Sequence, residues 1–87
     1  MIIKDIQYIE THETRTDGRY PSRIGSTVEF VYEPKINGLL WLSYVSDNQG
    51  NEKSGIVQAS RIQNIEETRD MVIITTINSI YYLEKDN

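Results

Sequence analysis

Apolar and polar residues alternate with a period of two along most of this chain, the pattern of half-buried β-strands. The cleanest run is Thr27 to Glu33, where Val28, Phe30 and Tyr32 share one face and Thr27, Glu29, Val31 and Glu33 the other. Pro34 ends it, and Asn37-Gly38 is a hairpin-type turn signal. Leu39 to Ser46 follows, with Leu40, Leu42 and Tyr44 set against Leu39, Trp41, Ser43 and Val45. Apolar groups on both of its faces predict a central strand. An earlier strand over Ile2 to Glu10 places Ile2, Ile6 and Tyr8 on one side and Ile3 and Ile9 on the other.

After the turn Asp47 to Asn51, a fourth strand is expected around Gly55 to Ala59. Residues 61–65 read either as a short strand or as one helical turn that buries Ile62 and Ile65. The final pair, Met71 to Ile77 and Ile80 to Glu84, predicts a hairpin joined by the two residues Asn78-Ser79. That register sets Ile77 opposite Ile80 and Thr75 opposite Tyr82. One face then carries Ile73, Thr75, Ile77, Ile80 and Tyr82; the other carries Val72, Ile74, Thr76, Tyr81 and Leu83.

Composition supports the strands. Isoleucine and valine outnumber leucine, and Ala59 is the one alanine, a bias toward the pleated sheet and away from helix. The expected fold is all-β: a small SH3-like barrel or a strongly bent antiparallel sheet of five to six strands, forming one domain over residues 1–87. Short strands with turn signals between them favour such closure, which also limits exposed sheet edges. At this length the fold buries only about 60–65% of the surface of the unfolded chain. No cysteine is present to reinforce so modest a core. Charge enters at Lys4 and Asp5, so no secretory signal is expected, and no apolar run has the length of a membrane span. Cytoplasmic residence is the expectation.

Candidate chemistry is sparse. With one histidine and no cysteine, nucleophilic triads have few ways to assemble. His12 lies between Glu10 and Glu13, but a zinc site needs about four ligands at suitable spacing. Glu66 and Glu67 are adjacent and would point to opposite faces of a strand. The five glycines read as turns or bulges, not as a phosphate-binding loop. No catalytic residue, metal site or cofactor is predicted, and the chain is expected not to be an enzyme.

Two segments stand out as binding surfaces. The long polar stretch Thr11 to Ser26 contains Arg15, Arg19 and Arg23 at four-residue spacing, with Tyr20 among them and only Asp17 opposing. Arginine and tyrosine are frequent at binding hot spots, and loops of such length tend to be functional or mobile. Gly18 and Pro21 argue against one continuous helix there. The second surface is the C-terminal hairpin, apolar on both faces, where Ile73, Ile77, Ile80 and Tyr82 are candidates for partner binding or self-association. Trp41 reads as core or semi-core. Tyr32 and Tyr44 could stack on bases, but their alternation with Val28, Phe30, Leu40 and Leu42 puts them on the expected core face.

The stretch Ala59 to Glu66 together with Val72 to Glu84 resembles small β-rich proteins encoded by phages and mobile elements of low-GC bacteria. That resemblance covers about a third of the chain and implies no functional residues. It implies the role of an accessory protein inhibiting a host nucleic-acid-processing machine, as anti-CRISPR proteins do. From the residues themselves, the expected function is a non-enzymatic protein-binding module whose partner is another protein or a second copy of itself. Nucleic-acid binding through the Arg/Tyr loop is the alternative, disfavoured by the formal charge of −4.

Overall fold

The computed structural model describes residues 1–86. Its strands are β1 (Ile2–Gln7), β2 (Thr27–Phe30), β3 (Leu39–Ser46), β4 (Ile56–Glu67), β5 (Met71–Thr76) and β6 (Ile80–Glu84), with one helical turn, α1 (Tyr20–Arg23). Each strand pairs antiparallel with the next in sequence, and β6 returns to pair with β1, so the sheet closes into a barrel. The all-β expectation is borne out. Closure pairs every strand on both sides and leaves no free sheet edge.

The barrel interior is filled by Ile3, Ile6, Val28, Leu40, Leu42, Val57, Ile62, Val72, Ile74, Tyr81 and Leu83. Strict alternation does not produce this set. Between Ile3 and Asp5 the register slips by one residue against β6, so Lys4 bulges and both Ile3 and Ile6 point inward. The sequence had placed them on opposite faces. β4 slips twice, around Ala59-Ser60 against β3 and at Gln63 against β5. Ile62 and Ile65 therefore share the inner face three residues apart while remaining in a strand. The segment that read as strand or helical turn is the second half of a twelve-residue strand, bent hard enough to turn the barrel wall.

Two further expectations are corrected. β2 ends at Phe30, so Tyr32 leaves the sheet and is 67% exposed instead of lining the core. The C-terminal hairpin is two residues out of the expected register: Thr75 faces Ile80 and Ile73 faces Tyr82. A four-residue turn, not a two-residue one, causes the shift. Thr76 closes it, its N–H donating to the Ser79 carbonyl at 2.8 Å and its Oγ1 accepting from the Ser79 N–H at 3.1 Å. A slip of two preserves side-chain faces. Val72, Ile74, Thr76, Tyr81 and Leu83 accordingly remain together, and all are buried.

The seam between β1 and β2 is the shortest in the ring, with one paired position, Ile2 with Thr27. Backbone bonds extend it on both sides, from Gly25 N–H to Ile3 carbonyl (2.7 Å), Ile3 N–H to Ser26 carbonyl (3.0 Å) and Val28 N–H to Met1 carbonyl (2.8 Å). Gly25 stands at φ +92° with the Asn48 Cβ only 3.0 Å from where its own Cβ would lie, so glycine is required there. No helix in the described residues is long and apolar enough to cross a membrane.

Candidate functional site

The segment between β1 and β2 is ordered from its base. After Gln7 the chain turns through residues 8–13, with His12 at φ 60°, and runs back along β1. Tyr8 N–H donates to the Glu13 carbonyl (2.9 Å), Gln7 bridges Thr14, and Arg15 N–H reaches the Ile6 carbonyl (2.7 Å). His12 is thus the left-handed residue of a tight turn, and no three His, Asp or Glu side chains gather as metal ligands among the described residues.

Arg15 fastens the rest of the segment. Its Nε and Nη2 fork onto Asp17 at 3.0 and 2.7 Å, while Nη1 donates to the Asn78 carbonyl (2.7 Å) and Ser79 Oγ (2.9 Å). Its guanidinium carbon lies 4.8 Å from the Tyr8 ring centroid and 4.1 Å from that of Tyr20. Only 14% of this side chain is exposed. Its bond to Asp17 holds that carboxyl down at about 2, against an ordinary 3.8, and the same bond raises the Arg15 pKa. Arg15 therefore clamps the loop to the β5–β6 turn.

The three loop arginines diverge in role. Arg23 also stacks on Tyr20, at 5.3 Å from the ring centroid. Arg19 is exposed and stands outside that cluster. The four-residue spacing thus reflects a clamp, a free charge and a cleft residue, since only Tyr20 to Arg23 is helical.

Beside the clamp lies a small cleft of about 80 Å³, lined by Tyr20 and Arg23 of α1, Gln58, Ala59 and Ser60 at the first β4 bulge, and Thr76, Asn78, Ser79 and Tyr81 of the last hairpin. Burial pushes the Tyr81 hydroxyl up to about 12, opposed in part by the neighbouring Arg23 and Arg15, so it stays protonated at neutral pH. Sequence reasoning found Tyr20 and Arg23 but not the others. Ser60 meets Asn78, whose N–H donates to Ser60 Oγ at 3.2 Å, because the β4–β5 ladder runs on past the Ile62–Thr76 pair and joins residues eighteen apart.

The hairpin candidates separate as well. Ile80 is 6% exposed and so unavailable to a partner, although it stands outside the interior cluster, paired with Thr75 of β5 and Gln7 of β1. Ile73 and Tyr82 are half-buried on the outer wall, and Ile77 is exposed in the turn.

A third surface had no advocate in the sequence. Tyr32 packs edge-on to Trp41, ring centroids 6.4 Å apart at 83°, on the outer wall at the β2–β3 connection. Val31, Ile36 and Leu39 are exposed nearby in the chain, and Ile56, the exposed first residue of β4, is diagonal to Trp41. The missing signal was where β2 ends: with Tyr32 assigned to the inner face, this surface vanished. Set beside protein-family models, curated proteins and solved structures, the chain matches none.

Proposed function

We propose that this protein is a non-enzymatic protein-binding module, and that the Tyr32–Trp41 face receives the partner. The observation carrying this reading is the exposed Tyr32 resting on the half-buried Trp41, with Leu39 and Ile56 exposed on β3 and β4 and Val31 and Ile36 exposed in the β2–β3 connection, outside a barrel whose core is already filled. Glu33 and Lys35 flank Pro34 beside the pair, both exposed. A patch holding both charge signs can meet itself in a two-fold arrangement, acid against base, so a second copy is the first partner proposed. Ile73, Ile77 and Tyr82 are a separate outer region, with Ile80 withdrawn from it.

Nucleic-acid binding through the loop draws less support, because Arg15 is neutralised by Asp17 and turned inward. Residence in the cytoplasm belongs to the same proposal and rests on the cysteine-free sequence. The SH3-like label is a proposal of kinship, supported by the small, bulge-bent barrel. Sedimentation velocity across a concentration series tests the main reading. A reversible dimer that Tyr32→Lys disperses, and Ile77→Lys leaves intact, supports it. A monomer at every concentration overturns self-association through this face.

A further inference from the structure

The cleft beside the Arg15 clamp combines features that a solvated surface hollow lacks. Its one charged lining residue is Arg23, for which no carboxylate lies within ion-pairing distance among the described residues. No Asp or Glu lines it, although acids outnumber bases in the chain. The nearest loop carboxylate, Asp17, is held by Arg15.

Donors converge on the space. Ser60 Oγ accepts from the Asn78 N–H and Ser79 Oγ accepts from Arg15, which leaves each hydroxyl hydrogen free to donate. Tyr81 is 1% exposed beside Arg23 and brings a phenolic O–H, and Gln58 brings an amide. Arg15, already paired with Asp17, adds no net charge to the cleft but fixes the Ser79 hydroxyl from behind. Thr76 is committed to the turn, donating to the Ser79 carbonyl at 3.1 Å, and so holds Ser79 and Asn78 in place.

Arginine with hydroxyl donors and no acid is the environment of an oxyanion. A volume of about 80 Å³ holds roughly two or three waters, enough for one tetrahedral anion. We infer that this cleft binds a single phosphate-sized oxyanion, with Arg23 as its charge partner and Ser60, Ser79 and Tyr81 as hydrogen-bond donors. The anion enters as free phosphate or as the terminal group of a small phosphomonoester.

The test is a titration of the full chain with sodium phosphate, and in parallel with glycerol phosphate, at constant ionic strength, read by amide ¹H–¹⁵N shifts. Saturable shifts confined to residues 20–23, 58–60 and 76–81 are expected. Arg23→Gln should weaken binding by about tenfold or more, the loss of a charge-assisted contact. Ser60→Ala, a small change at a half-buried position, should weaken it by a few-fold and keeps the test decisive if Arg23→Gln does not fold. Saturation by free phosphate alone assigns the site to the inorganic anion, and saturation by both assigns it to a terminal phosphate; either upholds the inference. Shifts that do not saturate, or that are unchanged in both variants, overturn it.

Discussion

Tyr81 and Tyr32 belong to two regions that treat the same side chain in opposite ways. Tyr81 is buried at the barrel end, beneath a loop that Arg15 ties down, and its hydroxyl meets a polar cleft. Tyr32 stands 67% exposed where β2 has stopped, resting on the edge of Trp41. The first region is rich in charge and reads as a binding loop, yet its central arginine is committed to architecture. The second reads as an ordinary alternating strand, yet it leaves apolar surface uncovered. Charge in a sequence marks where a chain can be cross-braced as readily as where it meets a partner.

Substitutions can break this contrast or sharpen it. Tyr81→Ala should have the largest effect, about 3–5 kcal/mol lost in urea unfolding, because it empties a filled core. That is a large fraction of the stability usual at this chain length. Arg15→Ala should cost about 2 kcal/mol by the same measurement, since it removes charge-assisted bonds to Asn78 and Ser79 and the loop's stacking. Tyr32→Ala should shift stability by only about 0.5 kcal/mol, while reducing any dimer seen in sedimentation. A stability loss for Tyr32→Ala as large as that for Tyr81→Ala would erase the distinction.

The smallest expected effect concerns acid. The Asp17 carboxyl is held at about 2 by its bond to Arg15, below its ordinary 3.8. The contribution of this pair is complete above about pH 4 and disappears as pH falls through about 2. Loop amides from Arg15 to Tyr20 should therefore shift between those values, and Asp17→Asn should remove that step. The pair is open to solvent on the Asp17 side, so the change in global stability should be slight.

Much of the barrel was legible in the sequence because period-two patterning survives wherever the ladder is regular. β3 was bounded to the residue, and the two faces of the last hairpin were sorted correctly. What was lost lies at the bulges. One inserted residue turns a spacing of two into three, so Ile3 with Ile6 appeared split across faces and Ile62 with Ile65 resembled a helical turn. The hairpin register slipped because Thr76 builds a wider turn from its own side chain, an alternative that Asn78-Ser79 concealed. In the loop, the sequence displayed the arginines but not their acceptors, since Arg15 meets Asn78 and Ser79 across more than sixty residues. The cleft is assembled from three separated segments, of which only the one holding Tyr20 and Arg23 was marked in the sequence.

The short β1–β2 seam also makes the ring unequal in time. A closed ladder opens first where fewest rungs hold it, so the seam amides of Ile3, Gly25 and Val28 should exchange with solvent before those of β5 and β6. While that gap is open, two strand edges stand bare, each able to accept a foreign strand in place of its neighbour. The Arg15 clamp sits on the chain that joins those two edges and ties that chain to the opposite turn.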